Sequence, residues 1–208
     1  SKLTEPLIAS YINNKNTSSF FRWKGVDKGT KVLMVDTEQP DDLLNNAIER
    51  IKVLSGLKEK DFNDRFDVLR LANVGSNGAK FERFKDQVKD IGKYGFVLAD
   101  NMSGLINSMN SEVEATIFSN FLNALCSNNN LTTIVLSHVS SNNTPIGHTG
   151  KGVQRLSSLS LILTKDEDSG FTFCERDKCR LSPSLPSFHF KVNQENGDVI
   201  PGVYMPFP

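Results

Sequence analysis

Three polar residues stand where chemistry is easiest to build, at the ends of short apolar runs. Lys31-Val32-Leu33-Met34-Val35-Asp36-Thr37 leads into Glu38. Tyr94-Gly95-Phe96-Val97-Leu98-Ala99 ends in Asp100, and Leu131-Thr132-Thr133-Ile134-Val135-Leu136 ends in Ser137-His138. A carboxylate at a strand end suits the oxygen shell of Mg2+ beside phosphates. A second carboxylate just beyond a strand can take the proton of an attacking water. An imidazole can donate to a phosphate oxygen or to that water. Each residue also has a plainer reading. Asp ends many parallel strands, Glu38 also suits a helix cap or an open surface, and a single histidine is usually structural. Asp36 precedes Glu38 by two residues, so both acids project to one side while the chain stays extended. Glu38, beyond the strand end, is the better placed.

For these groups to meet, their runs must lie side by side. Near-continuous apolar runs separated by helical patterns predict an α/β fold, with parallel strands covered on both faces. In such a sheet the carboxyl ends converge on one crevice. Helices are expected over 3–14, from Pro40-Asp41-Asp42 to about 51, over 79–92 and over 111–126, with a further strand at 66–71. Phe20-Phe21-Arg22-Trp23-Lys24 reads as rings packed on the following strand, or else an exposed aromatic patch. Residues 102–109 read as a loop or a loosely ordered turn. The polar, glycine-containing stretch 139–152 has the length of a mobile functional loop. Short strands at 158–164, 171–176 and 187–192 predict an antiparallel or mixed edge. The expected organisation is one domain over 1–195 and an irregular tail over 196–208.

Lys plus Arg and Asp plus Glu both number 24, so the net charge is zero. That excludes a broadly basic protein but leaves room for a local nucleic-acid surface. Three cysteines, Cys126, Cys174 and Cys179, make no disulfide framework and fit reduced thiols in a cytoplasmic protein. No run is long enough for a membrane span. The histidines at 138, 148 and 189 are scattered, which speaks against zinc. Gly147-His148-Thr149-Gly150-Lys151-Gly152 is no Walker A loop, because Pro145 stands where the first glycine belongs and Gly152 follows the lysine. Its cations suit contact with nucleic-acid phosphates, or a plain connection. Arg176, Lys178 and Arg180 share one side of an extended chain, as phosphate ligands or as parts of a solvated hairpin.

As a set, these motifs resemble the RecA-like P-loop ATPase core, a three-layer αβα fold. They resemble in particular the hexameric replicative helicases of the DnaB and plasmid RepA type, over about residues 1–195. The resemblance implies ATP and Mg2+ as cofactors, single-stranded DNA as partner and a homo-oligomer, with a ring hexamer as its family form. It makes Glu38 the catalytic base and Asp100 the Walker B carboxylate on Mg2+. His138, in a Leu-Ser-His context nearer RepA than DnaB, becomes the sensor of the terminal phosphate. The DNA-channel loop falls at about 140–155, with His148, Lys151 and Arg155. Lys178-Cys179-Arg180 matches the Lys-x-Arg element whose cations reach a neighbour's nucleotide, although Leu181-Ser182-Pro183 follows where helicases often have Gly-Pro. Ser1-Lys2-Leu3 to Ala9 matches the helix that follows Walker A, with Ser1 as the Mg2+-binding serine. The first strand, the phosphate-cradling glycines and the essential lysine are then expected before residue 1, or else the chain cannot bind ATP properly. Two alternatives share the motifs: a RecA-like ATPase regulator that does not unwind, and a noncatalytic nucleic-acid interaction module.

Overall fold

The structure is a computed structural model that describes residues 3–13, 29–127, 131–180, 187–192 and 199–201. The expectations for Ser1 and for the 20–24 aromatic stretch lie outside those residues. The chain divides into two compact units, Leu3–Val153 and Gln154–Pro208.

The first unit begins with helix α1 (Thr4–Ile12), strand β1 (Lys31–Asp36), helices α2 (Asp41–Ser55) and α3 (Glu59–Asn63), and strand β2 (Phe66–Arg70). Helix α4 (Asn77–Gln87), strand β3 (Tyr94–Asp100), helix α5 (Glu112–Ser127), strand β4 (Thr132–Val135) and the start of helix α6 (Gly147–Leu156) complete it. Its strands form one parallel sheet in the order β2-β1-β3-β4. The alternation of side chains decides the layers. Val32, Met34, Phe96 and Leu98 face a cluster with Ile8, Ile12, Leu44 and Ile51 of α1 and α2. Leu33, Val35, Val97 and Ala99 face the opposite cluster, with Phe84 of α4 and Phe118 and Leu122 of α5. Residues 32–36 and 94–99 are buried throughout, which is why both central strands read as unbroken apolar runs. The β1 connection leaves over one face and the β3 connection over the other, so the sheet reverses its winding between them. The carboxyl ends of β1 and β3 therefore flank a switch point.

Two polar clusters hold this unit at its edges. Arg50 on α2 grips the buried Glu5 of α1 in a fork, with Nε and Nη2 each donating to a carboxylate oxygen at 2.8 Å. Arg50→Ala removes that two-pronged contact from a buried carboxylate. The expected cost is about 2–3 kcal/mol, below the fully buried case because the guanidinium is partly open to water. A fall in the urea midpoint at unchanged slope checks it, and an unaltered midpoint contradicts it.

Near the amino end of β3, Tyr94 donates to Asp67 at 2.7 Å and accepts from Gln87 at 2.8 Å. Burial first, and the Asp67 contact second, push its phenol up to about 12. The folded state thus favours the protonated ring. Its contribution is fully present below the ordinary value of 10 and is lost as pH rises through about 12. Alkaline unfolding of Tyr94→Phe is expected to show a shallower loss between those limits than wild type, and identical pH profiles would refute this.

The second unit carries the end of α6, then β5 (Leu159–Lys165), β6 (Phe171–Cys179), β7 (Phe188–Val192) and β8 (Val199–Pro201). These strands form an antiparallel sheet in that order. Their antiparallel character agrees with the sequence pattern. The irregular tail expected from residue 196 is corrected at 199–201, which pair with β7 instead. Cys174, 1% exposed, lies in this unit's core with Phe188 and Phe190. Burial, reinforced by Glu175, raises its thiol to about 12, so it is inert.

Candidate functional site

The turn that leaves β1 is closed by its own last residue. Asp36, 1% exposed, accepts from the Gln39 backbone N–H at 2.8 Å and from Gln39 Nε2 at 2.7 Å. The Glu38 N–H reaches the same carboxylate at 3.2 Å. Asp36 is thus turned inward as a brace and does not project beside Glu38, because the extended conformation ends at Asp36 itself. Burial raises its carboxyl pKa above the ordinary value, with the charge of Asp100 acting the same way against the lowering effect of the Gln39 and Glu38 N–H groups. Glu38, held by this turn, is exposed at the crevice.

Thr37 ties the ends of β1 and β3 together. Its N–H donates to the Asp100 carbonyl at 2.9 Å, and its hydroxyl bonds the Asn101 carbonyl at 3.0 Å. The same hydroxyl oxygen receives the Asn101 N–H at 3.0 Å, while Lys80 Nζ on α4 donates to the Thr37 carbonyl at 2.9 Å. Asp100 and Asn101 are joined by a cis peptide bond. Asp100 is the register partner of Asp36 on the neighbouring strand.

From there a chain of hydrogen bonds crosses all three strand ends. Ser103 Oγ lies 3.3 Å from Glu38 Oε1 and contacts Asn101 Oδ1. Asn101 Oδ1 also accepts the Ser103 N–H at 2.7 Å, and Asn101 Nδ2 lies 2.9 Å from His138 Nε2. The structure therefore links Glu38 to His138 through Ser103 and Asn101, with Asp100 next to Asn101 at the end of β3. It adds Thr37, Asn101 and Ser103, which the sequence reading passed over. One signal was present: an Asn directly after a strand end readily forms an Asx turn, in which its side-chain oxygen accepts the N–H two residues on. Here it caps a 3-10 turn, Met102–Leu105, inside the stretch expected to be a loop.

The donor set suits Mg2+. The ion takes oxygen ligands and is commonly held by one or two carboxylates, with phosphates and water completing its shell. Asp100, beside the charge of Asp36, supplies such a carboxylate, whereas the oxygens of Asp36 are occupied by the turn. Among the described residues no group of three or more His, Cys, Asp or Glu forms a metal cluster, so a dedicated protein cage is not built there.

The expected DNA loop is corrected. Residues 139–145 close a small bridged turn, and from Gly147 the chain is helical to Leu156. Gly147 enters with φ +66°, and the Thr149 N–H binds the Met109 carbonyl at 3.1 Å. His148, Lys151 and Arg155 are all exposed, and their helical spacing places them on one face.

In the second unit, Lys178 and Arg180 do not line up with Arg176 as an uninterrupted strand would require. The β5–β6 register slips between Ser160 and Leu161, leaving Asp177 as a bulge. Lys178 Nζ donates to the Gln154 and Arg155 carbonyls at 2.6 and 2.9 Å, and Arg180 Nη2 reaches the Arg155 carbonyl at 2.8 Å. Both cations thus cap the C-terminal turn of α6, where the helix dipole favours positive charge.

No protein-family model and no curated protein matches the chain. Among solved structures it is similar to the RadB recombinase, with 18% sequence identity and a TM-score of 0.58. The likeness covers 82% of this chain and 78% of that one. At this identity the likeness is one of fold: a RecA-like α/β architecture, with a parallel central sheet between helices and a C-terminal antiparallel sheet. Among the described residues no helix is long and apolar enough to cross a membrane.

Proposed function

We propose that this protein is a nucleic-acid-dependent ATPase whose hydrolytic centre is the crevice at the ends of β1, β3 and β4. The observation that carries the reading is the hydrogen-bond chain that joins the exposed Glu38 carboxylate to the His138 imidazole through Ser103 and Asn101, beside the half-buried Asp100. The RadB-like fold supports it, since RadB is by name a recombinase.

In this reading Glu38 accepts a proton from the attacking water at a carboxylate oxygen, and its exposure lets it reach solvent. Asp100 would hold Mg2+, which when bound would neutralise charge on the phosphates of ATP. His138 donates to the terminal phosphate. Thr37 keeps the β1 and β3 ends in register, so that the two carboxylates stay a fixed distance apart. Ser1 is the proposed second Mg2+ ligand from the protein. Single-stranded DNA is the proposed partner, met by the His148, Lys151 and Arg155 face of α6. A homo-oligomer, up to a ring hexamer, is the proposed assembly, in which Lys178 and Arg180 of one copy would exchange the α6 carbonyls for the nucleotide of the next, as the helicase resemblance implies.

The test is ATP turnover by the natural full-length protein, with and without single-stranded DNA. Stimulation by DNA is expected, and its loss in Lys151→Ala would place the contact on α6. Turnover indifferent to DNA would instead favour an ATPase regulator that does not unwind. That second reading draws on the zero net charge of the chain.

A further inference from the structure

The hydrogen bonds around Asn101 determine more than its own position. Its Oδ1 accepts from the backbone N–H of Ser103, a group that can only donate. That contact fixes which end of the amide is oxygen, because the flipped amide would set NH2 against N–H. The Nδ2 group therefore faces His138, and Nε2 of the imidazole, 2.9 Å away, must accept. A ring nitrogen that accepts carries no proton, so the ring proton sits on Nδ1. Among the described residues Asn101 provides the only hydrogen bond to this ring, which leaves Nδ1–H directed to a ligand or to water.

We propose that Asn101 is a positioning residue that selects the neutral tautomer of His138 with its proton on Nδ1, making Nδ1–H the donor offered to the terminal phosphate. The tautomer follows from the geometry alone, whereas the phosphate as acceptor rests on the ATPase reading above. Ser103 divides its labour in this scheme. Its backbone N–H orients Asn101, and its single hydroxyl proton can serve either Asn101 or Glu38, but not both at once. When the hydroxyl turns to Asn101, the Glu38 carboxylate is left free to meet water.

The experiment is nitrogen NMR of the imidazoles in 15N-labelled protein, at a pH about two units above the ordinary histidine value near 6.5. His138→Gln identifies the signals by their loss. Wild type is expected to show a protonated Nδ1 and a bare Nε2. Asn101→Asp, which offers an acceptor where the amide offered a donor, is expected to reverse the two. Ser103→Ala keeps the orienting N–H and is expected to leave the tautomer unchanged. A wild-type ring protonated on Nε2, or divided evenly between the forms, overturns the proposal. So does a folded Asn101→Asp that keeps the wild-type tautomer. The wild-type spectrum decides the tautomer even if that variant does not fold.

Two further readings separate the halves of the proposal. On adding Mg2+ and a non-hydrolysable ATP analogue to the natural full-length protein, the Nδ1–H proton signal is expected to move. An unmoved signal in a protein that turns over ATP overturns the phosphate half, while the tautomer and the ATPase reading stand. In Asn101→Asp, kcat is expected to fall about tenfold or more with KM little changed, as befits a donor lost at the developing charge. Undiminished kcat alongside a reversed tautomer overturns the positioning role.

Discussion

Glu38→Gln is expected to lower ATP turnover by about 10²–10⁴-fold, the usual worth of a positioned general base. It should do so while leaving stability unaltered. The reason lies in where Glu38 stands. Its side chain is exposed, and its described side-chain contact is one long hydrogen bond, 3.3 Å from Ser103. Its backbone is held by Asp36, which the substitution does not touch. The amide of Gln can still take the Ser103 hydroxyl but cannot carry away a proton. A variant with wild-type melting and no turnover is the expected outcome. A variant that retains turnover places the base elsewhere, and one that melts early shows that Glu38 serves the fold.

The second large effect is expected at a residue with no functional group. A Cβ on Gly104 would lie 2.3 Å from Thr37 Oγ1 and 2.5 Å from Thr37 Cβ. The hydroxyl alone can rotate away, but the Cβ moves only with the backbone, and that backbone is pinned between the Asp100 carbonyl and Lys80. Gly104→Ala therefore combines overpacking with disruption of the buried Thr37–Asn101 hydrogen bonds, about 3 kcal/mol in all. For a protein of this size that is a fall in Tm of about 6–12 °C. Because Thr37 sits between the strand ends, turnover should drop in the folded fraction as well. Thermal melting monitored by circular dichroism, beside activity below the transition, checks both. A Gly104→Ala protein that melts and turns over like wild type would show that the strand ends tolerate the intrusion.

What could be read from the chain divides along a physical line. Strands buried on both faces announce themselves, because every position from Val32 to Val35 and from Phe96 to Ala99 must be apolar or small. The polar residues that end them were legible for the same reason, and Glu38, Asp100 and His138 do follow the ends of three adjacent strands. Long-range contacts were not legible. Asn101 and His138 are far apart in sequence, and nothing local in either announces their hydrogen bond. Helix α6 contains Gly147, Gly150 and Gly152, a composition that argues against a helix. Distant partners favour the helix instead, such as Lys178 and Arg180 on its last carbonyls. The bulge at Asp177 escaped notice because the alternation of side chains assumes an unbroken register, and only the opposing strand shows the slip. Asp36 was placed beside Glu38 by that same alternation, and the turn it braces reversed the outcome.

The central claim is that the terminal phosphate of ATP binds where β1, β3 and β4 end. Hydrogen–deuterium exchange of the natural full-length protein, with and without Mg2+ and a non-hydrolysable ATP analogue, tests it most directly. Three separate peptides, covering residues 37–39, 100–103 and 136–138, are predicted to gain protection together. Protection that appears only elsewhere, or in none of the three despite saturating nucleotide, would contradict the assignment of this crevice.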